Sequence, residues 1–123
     1  MPKTTIPIET LITDLHGADW QKRYDAARLL GQSRDPRAVD ALLPDLQDED
    51  WKVRRNAVQA LGALKSPRAL EPLMEALKDR VATVRERAAV GLGRIKDPRA
   101  LPALIEALME EDKKSRIHFN EGA

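Results

Sequence analysis

The chain has 123 residues, of which 42% are hydrophobic, so it has the length and composition of one folded domain with its own core. It carries 21 Lys and Arg against 20 Asp and Glu, and it therefore lacks the strong basic excess typical of a dedicated nucleic-acid-binding protein. It has no cysteine, which excludes disulfides, thiolate catalysis and sulfur-based zinc sites and is compatible with a reducing cytoplasm.

The N-terminus shows no targeting segment. Residues 1–7 have no long apolar run behind a basic start, so no secretory signal is predicted. Nowhere does an apolar stretch approach the roughly 18 residues that a membrane span needs. We therefore expect a cytoplasmic protein that does not interact with a membrane.

A short motif recurs along the chain with a period of 31 residues: it reads Asp35-Pro36-Arg37-Ala38, Ser66-Pro67-Arg68-Ala69 and Asp97-Pro98-Arg99-Ala100. The same register extends backwards to a first unit, although its opening has become Thr5-Ile6-Pro7. We predict a single domain over residues 1–123, with units at about 5–35, 36–66 and 67–97 and a partial unit at 98–123.

Each unit is predicted to form two helices. In the second unit, Asp35 is the expected N-cap and Pro36 the first helical residue, where the ring fixes a helical φ and the missing N–H costs nothing. The acidic run Asp48-Glu49-Asp50 interrupts this helix, and Asp50 is the expected N-cap of a second helix with one apolar face. That helix should end before Pro67, because a residue that precedes proline is disfavoured in the helical region.

A helix pair with one apolar face cannot bury that face alone, so such units stack into a superhelix in which each unit contacts only its neighbours. Val-Arg-x-x-Ala-x-x-x-Leu-Gly follows the proline motif twice, from Val53 to Gly62 and from Val84 to Gly93. These motifs resemble the HEAT-like repeats of phycobilin lyase subunits and of many small bacterial and archaeal proteins, over nearly the whole chain. The resemblance implies an all-α fold, a right-handed α-α superhelix of about three and a half two-helix repeats.

Three register positions indicate structural roles. One holds glycine in the second half of each second helix, at Gly31, Gly62 and Gly93. Since glycine there costs about 1 kcal/mol relative to alanine, we predict close approach of a neighbouring helix backbone. The other two positions hold Arg23, Arg54, Arg85 and Arg116, and Asp48, Asp79 and Glu110. In the family, the matching arginine bonds an acidic turn residue of an adjacent repeat, and we expect structural pairs here.

The fourth unit departs from the pattern after Leu108 and is predicted to be truncated. Phe119 falls at the register position that holds alanine in the other units. We expect a short capping turn in which Ile117 and Phe119 cover the open end of the core, because terminal repeats are commonly atypical. The alternative is a frayed tail that a partner or a second copy orders.

Catalytic signatures are absent from the sequence. The only histidines, His16 and His118, belong to no spaced metal-ligand set and lie near no candidate nucleophile. HEAT-like metalloenzymes that hydroxylate a protein side chain carry His-Glu pairs in several repeats, and this chain has no His-Glu dipeptide. Carboxylate pairs such as Asp48 with Asp50 stand at turns and helix starts, where acids favour the helix dipole. We therefore predict no enzyme, no metal site and no cofactor.

The resemblance also implies that the second helices line a concave surface. Their outward residues differ from unit to unit, as residues that recognise a partner would, although solvated surface also varies freely. Trp20 and Trp51 begin the first two of these helices and are either interface anchors or structural residues packed over the helix junction. The candidate partner-binding residues, called the candidate surface below, are Trp20, Tyr24, Arg28, Trp51, Lys52, Arg55, Gln59, Glu86, Arg87 and Arg94.

The leading hypothesis is a non-catalytic protein-binding scaffold or adaptor, as a monomer or as a weak homo-oligomer through the C-terminal end. One alternative, suggested by the resemblance alone, is a bilin lyase or chaperone-like subunit. The other is nucleic-acid binding through the basic residues of the candidate surface. Asp25 and Glu86 weaken that alternative, because phosphate binding gains from each cation and loses near each anion.

Overall fold

The computed structural model describes the backbone of residues 6–121 and the side chains of residues 6–117. These residues form seven α-helices and no strand. The helices are α1 (Ile8–Leu15), α2 (Trp20–Gln32), α3 (Arg37–Leu42), α4 (Trp51–Leu64), α5 (Leu70–Ala76), α6 (Ala82–Ile95) and α7 (Leu101–Glu121). Short 3-10 helices span Leu43–Gln47, Pro67–Ala69 and Pro98–Ala100. The predicted all-α superhelix is confirmed, and no described helix is both long and apolar enough to cross a membrane.

Predicted capping residues stand at helix starts in the second and fourth units. Asp35 accepts a hydrogen bond from the backbone N–H of Arg37 at 2.9 Å, and Asp97 accepts one from that of Arg99 at 2.9 Å. Asp50 caps α4 by accepting the N–H of Lys52 at 2.9 Å. The helix boundaries therefore follow from side chains that satisfy the free N–H groups of the first turn.

The second helices α2, α4 and α6 pack side by side in chain order. The helix α4 contacts both α2 and α6, and the first helices α1, α3 and α5 pack against the second helices beside them. Leu30, Leu61 and Leu92 occupy one register position, and all three are buried. A single apolar core thus continues from one unit to the next, as stacking of incomplete helix pairs requires.

Close helix approach explains two of the three register glycines. A Cβ atom added at Gly31 would lie 2.9 Å from the Cα atom of Ala60, and one added at Gly62 would lie 2.6 Å from that of Gly91. A Cβ atom added at Gly93 would have no described neighbour from another helix within 4 Å, so the prediction is wrong there. The difference arises because α2 and α4 each face a following second helix, whereas no described second helix follows α6.

The C-terminal helix differs from the prediction. The sequence predicts a truncated unit that ends in a short capping turn, but α7 continues without a break to Glu121. Ile117 is exposed and therefore does not cover the core, while the side chain of Phe119 lies outside the described residues. The capping-turn prediction is therefore wrong for Ile117.

The helix continues because residues 109–114 are good helix formers that contain no glycine or proline. Ion pairs within α7 stabilise the same region, between Glu111 and Lys114 at 3.9 Å and between Asp112 and Arg116 at 3.2 Å. Acidic residues 48–50 interrupt the helix of the second unit, whereas the acidic residues 110–112 at the same register positions lie inside α7.

Candidate functional site

Aromatic and basic side chains form a cluster at the N-terminal ends of α2 and α4. The rings of Trp20 and Tyr24 stack with their centroids 5.7 Å apart and their planes 17° from parallel. The Nζ atom of Lys52 lies 5.9 Å from the Trp20 ring centroid, and the Cζ atom of Arg55 lies 5.1 Å from that of Trp51. Five residues of the candidate surface therefore form two neighbouring groups of stacking and cation–π contacts, which we call the cluster.

The two tryptophans of this cluster differ in exposure. Trp20 is 39% exposed, which leaves part of its ring free for contact. Trp51 is half-buried and packs against the core, so it matches the structural interpretation of the indoles. The exposed member of the pair is thus the N-terminal one.

A groove of about 250 Å³ lies beside the cluster, where α2 and α4 approach most closely. Its floor includes Gly31 and Ala60, whose small size permits that approach. Its other lining residues are Tyr24, Arg28, Gln32, Asn56, Gln59, Ala63 and Arg94. We call this feature the α2–α4 groove.

The structure unites part of the candidate surface and separates the rest. Four of its members, Tyr24, Arg28, Gln59 and Arg94, line the α2–α4 groove, although Arg94 belongs to α6. Glu86 and Arg87 are exposed on α6 but do not line this groove. The candidate list omitted Gln32 and Asn56, which line it with their amide groups. Their position on the outward faces of second helices is the sequence feature that could have identified them.

The charge of the candidate surface differs from that of the whole chain. It contains five basic residues and one acidic residue, whereas the full sequence is nearly neutral. Among the described residues, none of these five cations forms a salt bridge. Their positive charge thus remains available to an anionic partner.

The register arginine of α4, by contrast, is fully paired. Arg54 donates two hydrogen bonds to the carboxylate of Asp79, at 2.8 and 3.2 Å, and others to the carbonyls of Asp48 and Glu49 at 2.7 and 3.0 Å. Burial alone would raise the pKa of Asp79, but hydrogen bonds from Arg54 and from the N–H of Val81 lower it below its ordinary value. The predicted structural pair is confirmed at this position.

The other register arginines deviate from that pattern. Arg85 bonds Glu111 at 2.8 Å where Glu110 was predicted, because the continuous α7 turns a different acid towards it. Arg116 pairs with Asp112 of its own helix instead of a residue in another repeat. Both arginines thus form ion pairs, but their acidic partners differ from those that the repeat register predicts.

In the first repeat, the register arginine Arg23 has no ion pair among the described residues, and a contact between His16 and Asp45 lies beside it. Within the described residues, the Nε atom of Arg23 is buried without a hydrogen-bond partner. Beside it, the Nε2 atom of His16 lies 3.1 Å from the Oδ1 atom of Asp45. Burial raises the pKa of Asp45, and the nearby His16 and Arg23 only partly offset that rise. No described group of three or more His, Asp or Glu residues is placed to hold a metal ion.

The family model for HEAT repeats matches residues 8–91 and, in a second overlapping match, residues 46–118. The chain belongs to the HEAT-repeat family. The repeat motifs at 31-residue spacing are thus those of HEAT repeats, as their resemblance to the HEAT-like class predicted. No curated protein matches this HEAT-repeat chain.

Solved HEAT-repeat structures resemble it over most of its length. The complex of CpcE and CpcF of phycocyanin lyase from Nostoc sp. PCC7120 contains a chain that is 38% identical, with a TM-score of 0.78 over 88% of this chain and 45% of that one. Human deoxyhypusine hydroxylase is 30% identical, with a TM-score of 0.67 over 72% of this chain and 32% of that one. This HEAT-repeat chain thus spans less than half the length of both proteins.

An engineered protein shares the fold alone. It is 23% identical, with a TM-score of 0.62 over 84% of this chain and 51% of that one.

Proposed function

We propose that this HEAT-repeat chain is a non-catalytic scaffold or adaptor that binds an acidic segment of a protein partner on its concave surface. The observation that carries the proposal is the contrast between two sets of cations. Arg54 and Arg85 are paired with acids, while the basic residues of the candidate surface are not. A cation without an acidic partner in its own chain can pair with an acidic ligand without first breaking a salt bridge.

The α2–α4 groove supports recognition of an extended chain. Arg28 and Arg94 can each hold a carboxylate through two parallel N–H groups. The amides of Gln32, Asn56 and Gln59 can donate to and accept from a peptide backbone. The adjoining Trp20 and Tyr24 rings offer apolar contact area of the kind that anchors protein interfaces. Together these groups suit an acidic peptide with an apolar residue next to its acids.

Charge reversal tests the proposal directly. The variant Arg28→Glu with Arg94→Glu should lose capture of the native partner by at least about tenfold, because two attractive contacts become repulsive. The matched control is Lys22→Glu with Lys78→Glu, which makes the same charge change at exposed positions outside the α2–α4 groove. It should retain capture, and both variants should melt at the wild-type temperature. Equal capture by both variants contradicts the proposal.

The second candidate function is a bilin-lyase-type subunit acting on a bilin-bearing protein. The observation that favours it is the 38% identity to a chain of the phycocyanin lyase complex over 88% of this chain. Co-expression with a bilin and its acceptor protein tests this candidate. Covalent colour on the acceptor above the level without this chain supports it, and no gain in colour excludes it.

A further inference from the structure

Positions that the inner repeats bury are open at the C-terminal end. Val39 and Leu70 are each 2% exposed, whereas Leu101, in the same register, is 54% exposed. Leu77 is 4% exposed, whereas Leu108, 31 residues later, is 73% exposed. Apolar residues at packing positions thus lie uncovered along the first half of α7.

The uncovered area continues onto α6. Gly62 and Val58 of α4 are buried by the following repeat, but the matching Gly93 is exposed and Ala89 is only partly buried. The open area therefore spans α6 and α7, and it continues the interface that joins the inner repeats. It lies where the second helix of a fourth repeat would pack.

The chain keeps part of the register of that helix, but α7 carries these residues away from the gap. Arg116 keeps the register of Arg54 and Arg85, and the sequence places Gly122 in the register of Ala60 and Gly91. Ala60 and Gly91 are the residues that face Gly31 and Gly62. Since α7 is continuous to Glu121, its last turns extend about 20 Å beyond Leu108, at 1.5 Å per residue.

We propose that two copies of this chain exchange the C-terminal halves of α7, so that residues 111–121 of each copy complete the fourth repeat of the other. Two α7 helices that run antiparallel about a twofold axis near Glu110 would bring each C-terminal half against Leu101–Leu108 of the partner copy. A first and a second helix joined by a short turn are antiparallel neighbours in the same way. Such exchange of an identical element is domain swapping, and it would cover the open positions of α6 and α7 in both copies.

A second copy is the occupant that the register favours. The uncovered Gly93 holds the register of Gly31 and Gly62, which face the small residues Ala60 and Gly91. Stacking the N-terminal end of another copy there would instead present Leu29, which holds the register of Ala60 and Gly91. The C-terminal half of α7 also brings Ile117, an exposed apolar residue, to the level of Leu104 in the antiparallel arrangement.

Engineered cysteines test the exchange, since the natural chain has none. In the double variant Leu104→Cys with Ile117→Cys, mild oxidation should produce an intermolecular disulfide that survives a non-reducing gel. The two positions are about 20 Å apart along one straight helix, so no bond can form within a copy that keeps α7 intact. Each single variant is the control and should remain mostly monomeric on the gel. An intramolecular disulfide, or none, overturns the proposal.

Light scattering and a hinge insertion provide an independent test. At about 50 µM, the wild-type chain should have twice its monomer mass of 13.8 kDa. Inserting Gly-Asn-Gly after Glu110 should let the segment fold back within its own copy, giving a monomer with undiminished helix content. A wild-type monomer, a concentration-dependent series of larger oligomers, or an insertion variant that stays dimeric contradicts the exchange. Capture by the candidate surface is scored separately, so failure of either proposal leaves the other interpretable.

Discussion

At Gly62 the backbones of α4 and α6 leave no room for a methyl group, because an added Cβ atom would lie 2.6 Å from the Cα atom of Gly91. Gly62→Ala should therefore push the two helices apart and lower the free energy of unfolding by about 1–3 kcal/mol. Thermal or urea unfolding followed by circular dichroism measures this change.

Gly93→Ala is the matched control at the same register position. Nothing described lies within 4 Å of an added Cβ atom there, so alanine should raise the free energy of unfolding by up to about 1 kcal/mol through its helix propensity. The unfolding of both variants should be measured at a protein concentration low enough to keep the chain monomeric. Equal destabilisation by both variants would show that close helix approach is not the reason for these glycines.

The pair between Arg54 and Asp79 should give stability that depends on pH. Arg54 is buried and Asp79 is only 11% exposed, and removing one member of such a pair leaves the other charge without a partner. Asp79→Ala should lower the free energy of unfolding by about 3 kcal/mol at neutral pH. The control Asp40→Ala removes the exposed ion pair with Arg68 and should cost at most about 1 kcal/mol.

The sign of the pH dependence follows from the lowered pKa of Asp79. A carboxyl whose pKa is lower in the folded state contributes stability that is fully present above its unfolded pKa, about 4. That contribution is lost as the pH falls through the folded pKa. The stability difference between wild type and Asp79→Ala should therefore shrink below about pH 4. A difference that grows on acidification would contradict the assigned shift.

Residue-level predictions succeeded where a position repeats for reasons of packing. Gly31, Gly62 and the pair of Arg54 with Asp79 recur in the register, so the sequence alone indicated their structural roles. The lining of the α2–α4 groove was harder to predict from the sequence, because Arg94 reaches the groove from a different helix than Arg28. Which arginines lack an acidic partner depends on distances between repeats, and a linear register does not contain them.

The ends of α4 and α6 lie in a conformation that favours glycine. Lys65 and Lys96 have positive φ angles of 55° and 59° at the C-caps of these helices. A left-handed conformation costs a residue with a Cβ atom about 1 kcal/mol, which glycine avoids. Lys65→Gly and Lys96→Gly should therefore each raise the melting temperature by a few degrees.

The control for these caps is Gln59→Gly, in the middle of α4. Glycine there should lower the free energy of unfolding by about 1 kcal/mol, because the backbone loses more entropy on folding. If either lysine-to-glycine variant melts at a lower temperature than the wild type, the lysine side chain contributes more stability than its left-handed backbone conformation costs.

The helices themselves were largely predictable from proline, capping residues and apolar spacing. Asp50 and Asp97 cap the helices expected of them, since a side-chain oxygen at the N-cap needs only local geometry. The continuous α7 was not predicted, because the register led us to expect a turn at Glu110 as at Asp79. Helix formers and ion pairs between residues 109 and 116 outweigh that register.

As a whole, the molecule is a serial stack in which α4 contacts α2 on one side and α6 on the other. Each interior repeat obtains its stability from two neighbours, so the uncovered C-terminal end is the expected place for association with a second copy. The outward faces of the second helices are not used for this stacking. It is free to differ from repeat to repeat and to carry the unpaired cations.

Site-specific photocrosslinking tests most directly whether a partner binds along that surface. A photoreactive phenylalanine at Gln59, in the α2–α4 groove, should crosslink one acidic protein in the native cell, and excess of that protein's acidic peptide should suppress the product. The same group at Glu71, exposed on α5, should give no such product. Crosslinking at Glu71 and not at Gln59 would contradict the account.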